Sequence, residues 1–290
     1  MRRRNSQGEA LAVWAVWGAT AVAVVVTYSH VDPAELYHVS GSGVGAGLGR
    51  ALVHLNWPIA LVAIALTLTA MGALPRRAWW AAAASIALCA TMPWFVDQGD
   101  LDARWVNVLP AAGVALALGL TAAAARRAGT SFEPRLPGDP LRLVIAAVVV
   151  VLSLPWLAAE LGFQLPGDVF MGEEPMRTTG GGLEAAVHLG EHHGFHGALL
   201  LLSALALSRA RVTGRRLRGW QLAWTAVLAG YGAINFAQDL WHEQLVKRGW
   251  VEWRIPSALY PDLEPVTLAT LALVGLAAWL LAREGAILRP

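Results

Sequence analysis

Charge is scarce in this sequence. Asp, Glu, Lys and Arg make up 14% of its 290 residues, against about 25% in an ordinary soluble domain. Hydrophobic residues reach 56% and the mean hydropathy is +0.50. A water-soluble fold of that composition would expose large apolar patches, a difficulty that disappears when the solvent is hydrocarbon. Cysteine is nearly absent. The single Cys89 excludes an intramolecular disulfide and a thiolate metal cluster, and its apolar surroundings suit a small core residue. No stretch reads as a separate soluble domain, and no internal repeat is evident. The glycines at 41, 43, 45, 47 and 49 do not fit the dinucleotide pattern G-x-G-x-x-G. Gly41, Gly45 and Gly49 instead repeat the spacing of closely packed helices, with a flexible loop as the equal alternative.

What is present is a series of apolar runs. A span of hydrocarbon takes about 20 mostly apolar residues, and eight segments qualify: 10–29, 51–73, 78–96, 105–125, 142–163, 184–207, 219–241 and 265–283. Prolines and glycines punctuate the connections, as at Pro75, Pro134, Pro137, Pro166, Gly180 to Gly182, Pro256 and Pro261. The expected fold is therefore all-α, a polytopic membrane helix bundle in a single domain over 1–290. The N-terminal Met1-Arg2-Arg3-Arg4 before an apolar run looks like a signal peptide. Thr27-Tyr28-Ser29-His30 offers no small-x-small cleavage site, so an uncleaved first span is expected.

Orientation follows from the basic residues in the loops. With both termini inside, the cytoplasmic segments hold 16 of the 22 basic residues, including Arg2 to Arg4, Arg76, Arg77, Arg126, Arg127, Arg209, Arg211 and Arg215. The outer side holds Arg50, Arg104, Arg177, Lys247, Arg248 and Arg254, while Asp97, Asp100, Asp102, Glu173 and Glu174 show the opposite bias. One missed span would scramble this alternation. Tryptophans fall near the ends of spans, where indole favours the headgroup zone: Trp79, Trp80, Trp220 and Trp279 inside, and Trp57, Trp94, Trp105, Trp241, Trp250 and Trp253 outside. The arginine clusters suit topology and contact with anionic lipid rather than nucleic acid. The expected location is a cell membrane, the cytoplasmic membrane of a bacterium, crossed many times.

On this topology all eight histidines lie in the outer half: His30, His38, His54, His188, His192, His193, His196 and His242. Histidine is costly inside a membrane, so clustering suggests a site. The densest patch opens the sixth expected span. As a helix, at about 100° per residue, Glu184, His188, Glu191, His192 and His196 would share one face, with His193 aside. On the seventh, Asn235, Gln238, Asp239, His242 and Glu243 share another. Joined by a short basic turn, the two spans should pack antiparallel with these faces turned toward each other. His242 is then expected beside His188, Asp239 beside His192, and Asn235 beside His196.

Imidazoles and carboxylates converging from facing helices are the raw material of a bundle metal site. Without thiolates the ligand set is N/O, suiting a divalent transition metal such as zinc, copper or iron. The expected ligands are His188, His192 and His242, with Asp239 as a fourth, His196 less direct, and His54 and Glu160 completing the shell. Asp239 and Glu191 are the candidates for a general base or for a partner that orients an imidazole. Neutral imidazole is the binding form, so affinity should fall below about pH 6.5. His30 and His38 are expected to bond only loops and headgroups, and Gly190, Gly194 and Gly197 to permit close helix approach.

His188-x-x-x-His192-His193 resembles one histidine box of the membrane fatty-acid desaturases and hydroxylases. Those families need several boxes on the cytoplasmic side, whereas this chain has one, facing outward. Asn235-x-x-x-Asp239 is faintly similar to the paired motifs of zinc transporters, in a different order. Each resemblance covers one short stretch, and no family is assigned. The function expected first is a metal-dependent membrane-embedded enzyme acting on a lipid or other hydrophobic substrate at the outer face. The alternatives are a metal-ion or proton-coupled transporter and a haem- or metal-binding membrane subunit. A transporter needs a polar path to both faces, and the apolar inner halves 198–207 and 222–233 count against it.

Overall fold

In a computed structural model, residues 7–36, 41–92, 102–166, 169–172, 175–177, 183–258 and 265–287 are described. His38, Trp94, Asp97, Asp100, Glu173, Glu174 and the N-terminal arginines lie outside them. The described chain is predominantly helical. Its helices are α1 (Gly8–His30), α2 (Gly43–His54), α3 (Pro58–Met71), α4 (Trp79–Cys89), α5 (Val108–Ala128), α6 (Asp139–Leu152), α7 (Leu154–Glu160), α8 (His193–Arg209), α9 (Arg215–Trp241) and α10 (Pro265–Ile287). A π turn, His242–Val246, extends α9. Two three-residue strands, β1 (Pro175–Arg177) and β2 (Leu183–Ala185), pair antiparallel before α8.

Three helical segments are long and apolar enough to cross a membrane: Gly8–His30, Trp105–Ala128 and Pro265–Arg283. Counting each of two bent helix pairs as one span makes five, which is fewer than the eight expected. The shortfall has local causes. The expected span 51–73 is broken into α2 and α3, which meet at 49°. Pro58 opens α3 and has no N–H to continue the α2 ladder. Asn56 holds the corner by exchanging bonds with Asn107: its Nδ2 donates to Asn107 O at 3.0 Å, and Asn107 Nδ2 donates to Asn56 Oδ1 at 2.8 Å. The expected span 142–163 bends by 59° between α6 and α7, where Pro155 enters and Ser153 Oγ donates back to Val149 O at 2.6 Å. The expected sixth span, 184–207, starts late. Its first third is ribbon and loop, and helix begins only at His193.

Helix α3 is the axis of the bundle. It is apolar on every side, the pattern of an element enclosed by others, and Pro58 to Thr67 are all buried. Helices α4 and α5 pack on one flank, α8, α9 and α1 on the others, and α2 lies against α1. The α8–α9 pair is the most extensive contact and depends on two glycines. A Cβ on Gly197 would lie 2.6 Å from Gly232 O, and one on Gly232 would lie 2.7 Å from Gly197 O, so the backbones touch. Between α1 and α2 the small residue at the crossing is Gly47, packed on Val25 and Ser29. Of the expected stripe 41–45–49, Gly45 meets nothing within 4 Å, so the stripe is not the packing face. Indole N–H groups tie helices together: Trp17 to Ser203 Oγ at 2.9 Å, Trp224 to Leu61 O at 2.8 Å, and Trp57 to Tyr231 Oη at 2.9 Å.

Outside this core, α6 and α10 present apolar faces. Leu141, Leu143, Val144, Val148 and Val151 of α6 are more than half exposed, as are Leu268, Leu271, Leu276, Trp279 and Leu280 of α10. Exposed indoles stand near helix ends, at Trp80, Trp105 and Trp220. A helix face of this composition suits lipid.

Candidate metal centre

The turn that leads into α8 builds the site. Gly190 has φ +92°, and a Cβ there would sit on the Tyr28 hydroxyl. Only glycine therefore lets Gly190 N donate to Ala159 O at 2.9 Å while the next residue, Glu191, donates its N–H to Tyr28 Oη at 2.9 Å. The turn is pinned to α1 and α7, and the Glu191 side chain is driven into the bundle, where it is 7% exposed.

There Glu191 meets two helices. Arg50 of α2 forms an ion pair with Oε2. His54, one turn on, brings Nδ1 into contact with Oε1, and His196 Nε2 of α8 stands 3.4 Å from the same oxygen. Burial alone would raise the Glu191 carboxyl, but the Arg50 guanidinium, aided by His54, holds it well below the usual carboxylate range. Glu191 is therefore an anion. Trp17 packs against both rings, with centroids 6.0 Å from His54 and 6.5 Å from His196.

One tautomer of His54 suits its neighbour. Thr20 Oγ1 donates to Trp17 O at 2.9 Å, so toward His54 Nε2, 3.4 Å away, it can only accept. In the tautomer that donates Nε2–H to Thr20, Nδ1 presents a lone pair to the Glu191 carboxylate. Glu191 Oε2 is answered by Arg50, whereas His54 Nδ1, His196 Nε2 and Glu191 Oε1 face one another. In that tautomer two acceptors face each other in a buried space, an arrangement that a cation or an extra proton resolves.

The ligand atoms of His54, Glu191 and His196 all lie within 4.8 Å of one another, and among the described residues this is the only such trio. Ligands of one tetrahedral ion lie ~3.3 Å apart at ordinary metal–ligand bond lengths. Closing the trio around an ion takes small side-chain shifts. Three protein ligands would leave a fourth position open, the arrangement of a catalytic rather than a structural site.

The other expected ligands are placed differently. His188 and His192 are not one turn apart on a helix. Both precede α8, and their rings stack at 4.0 Å. His188 Nδ1 donates to Leu189 O at 3.0 Å and His192 Nδ1 to Gly190 O at 3.0 Å, which fixes both as Nδ1–H tautomers when neutral. Burial pulls the His188 imidazole down to about 4, and burial, with His188 beside it, takes His192 well below its usual value. His192 turns away from the trio toward Glu243, at 3.8 Å, whose other oxygen accepts from Trp156 Nε1 at 2.5 Å. Asp239 accepts from Gly194 N at 2.5 Å. It therefore caps the start of α8 from the neighbouring helix, where a carboxylate meets unpaired N–H groups and the positive end of the helix dipole. His242 is partly exposed at the π turn. His188, His192, His242 and Asp239 are thus not gathered around one point. The helical-face reading fails because the residues before His193 are not helical.

Arg50 and Tyr28 were not foreseen. Arg50 looks like one of the few basic residues of an outer loop, yet it is 7% exposed and paired. The available signal was its i,i+4 spacing from His54. Glu160, expected to complete the shell, is 1% exposed, with both carboxylate oxygens lacking a hydrogen-bond partner among the described residues. No protein-family model, curated protein or solved structure matches this chain.

Proposed function

We propose that this chain is a multi-pass membrane protein that binds a divalent transition metal through His54, Glu191 and His196, and that the ion serves a membrane-embedded enzyme acting on a hydrophobic substrate. The carrying observation is the convergence of His54 Nδ1 and His196 Nε2 on one Glu191 oxygen in a buried space. An N/O ligand set without thiolate suits zinc, copper or iron. A bound ion of this class supplies a Lewis acid for a carbonyl or ester oxygen. The chain's own residues do the positioning. Thr20 stands beside His54 Nε2, Arg50 keeps Glu191 ionised, and Trp17 braces both rings.

The eight-span arrangement with both termini inside remains our reading of topology, supported by the loop charges. It counts α8 and α9 as spans and the bent pairs α2–α3 and α6–α7 as one each. The metal centre then lies toward the outer face. A transporter would need a polar route past α3, and Ile59 to Leu66 are buried and apolar throughout, which counts against one.

Metal analysis of protein purified after metal-replete expression tests the centre. Wild type is expected to carry about one ion per chain, and His54→Ala and His196→Ala to lose it. His242→Ala is expected to keep it. Wild type without stoichiometric metal, or alanine variants that retain it, would leave a protonated His54 paired with Glu191 as the better account.

A further inference from the structure

One end of the bundle gathers exposed arginine without exposed acid. Thr213 Oγ1, in the turn between α8 and α9, donates to Gly72 O of the α3–α4 turn at 3.1 Å. Arg127, at the end of α5, donates from Nε to Ala73 O of the same turn at 3.3 Å. Two arginine pairs flank these bonds, Arg76 and Arg77 just before α4 and Arg215 and Arg216 at the start of α9. All four are exposed and form no ion pair among the described residues. The described acids of this end are turned inward. Glu9, Glu133 and Asp139 are each 9% exposed or less, and they pair with other arginines, Glu9 and Asp139 with Arg209 and Glu133 with Arg211. Folding thus buries the negative charge of this end and leaves a positive rim.

Each pair has an indole one turn further along its helix. Trp80 lies three residues beyond Arg77, and Trp220 four beyond Arg216, spacings that put both members on one helix face. The two indoles are 84% and 70% exposed, and a four-residue step is about 6 Å. Guanidinium at the rim with indole beneath it matches the two layers of a phospholipid, the phosphate outermost and the glycerol esters below, where tryptophan is favoured. A soluble anion would engage the arginines and leave the indoles without a role. We propose that the rim formed by the α3–α4 and α8–α9 turns binds anionic phospholipid, with phosphate held by the arginine pairs and the ester region against Trp80 and Trp220. Arginine suits this, since its planar fork meets phosphate bidentately. The proposal rests on the membrane reading and not on the metal centre. The leaflet follows from the topology, which places this end in the cytoplasm beside anionic lipid.

The test is native mass spectrometry of the full-length protein, purified in detergent and given equal amounts of phosphatidylglycerol and phosphatidylcholine. Wild type is expected to retain phosphatidylglycerol in preference. Neutralising either pair, as Arg76→Gln with Arg77→Gln or as Arg215→Gln with Arg216→Gln, should cut that preference on the order of tenfold. The pairs lie on different turns, so the claim does not depend on one variant folding. Arg254→Gln, an exposed position beyond the other end of α9, should keep the wild-type preference. Trp80→Ala with Trp220→Ala should lower phosphatidylglycerol retention although no charge changes. Glycerol 3-phosphate and a short single-stranded DNA serve as soluble competitors, and neither should displace the lipid at equal concentration. Metal content should stay at the wild-type level in every variant, so that failure of the rim and failure of the centre are told apart. No preference in wild type, full preference in both paired variants, an equal loss in Arg254→Gln, or displacement by either soluble anion would overturn the proposal.

Discussion

Glu191 and His192 are neighbours in the chain and serve opposite sides of the bundle. Glu191 turns to Arg50 and His54 of α2, whereas His192 turns to Glu243 beyond the end of α9. The two substitutions should therefore separate. Glu191→Gln leaves Arg50 buried without its counter-charge, and breaking a buried pair costs about 3–5 kcal/mol. Replacing both members, Arg50→Met with Glu191→Gln, should recover much of that loss because neither member is left as an unpaired charge. His192→Gln keeps a donor for Gly190 O and should cost far less. Thermal unfolding in detergent with chelator present reads all four proteins. A Glu191→Gln loss no larger than that of the double variant would show that the pair is not held as described.

Gly190 should be the least replaceable glycine of positive φ. Gly190→Ala meets two penalties, the left-handed backbone and a Cβ on the Tyr28 hydroxyl. Gly214→Ala meets only the first, since φ is +97° and nothing lies within 4 Å. The open position should cost about 1 kcal/mol. Gly190→Ala should cost at least twice that and also lower metal content, because it displaces Glu191. Equal melting temperatures for the two variants would argue against the tight turn.

The apolar runs gave away the helices more readily than their ends. Segment 10–29 is α1 within two residues at its start, and 105–125 sits within Trp105–Ala128. Composition alone does not locate a break. Asn56 and Pro58 were visible, but the Asn56–Asn107 pair that fixes the α2–α3 corner joins residues far apart in sequence. The residue types of the site were legible, and Glu191, His196 and His54 were all singled out. Their partnership was not, because it rests on Gly190 adopting positive φ ahead of α8 and on Gly47 letting α2 lie against α1. Neither close approach leaves a periodicity in the sequence. A helical wheel drawn through 184–196 put His188 and His192 on a face that does not exist.

Acid should loosen the segment before α8. The folded chain holds His188 down at about 4, from the usual 6.5, so the unfolded chain takes up the proton first. Stability is then full above about pH 6.5 and falls as the pH drops toward 4, by up to roughly 3 kcal/mol for this group. His192 shifts in the same direction. Melting temperatures at pH 7.5, 5.5 and 4.5 should decline for wild type and decline less for His188→Gln, which keeps a donor but cannot protonate. Parallel slopes for the two proteins would remove His188 from the account.

The topology reading makes a demand that single-cysteine labelling can meet. The native Cys89 is buried, so new thiols should dominate the signal. Arg76, which precedes α4, and Arg216, at the start of α9, are exposed and belong to the expected inner side. Trp250 and Arg254 follow α9, are exposed, and belong to the outer side. Helix α9 has 27 residues, about 40 Å at 1.5 Å per residue, which is longer than the ~30 Å hydrocarbon core. Arg216 and Trp250 must therefore lie on opposite sides if α9 spans at all. A membrane-impermeant maleimide added to intact cells should label Trp250→Cys and Arg254→Cys. It should spare Arg76→Cys and Arg216→Cys until the membrane is permeabilised. Labelling of Arg216→Cys in intact cells would invert the orientation. Labelling of both Arg216→Cys and Trp250→Cys there would remove α9 from the list of spans, and the eight-span count with it.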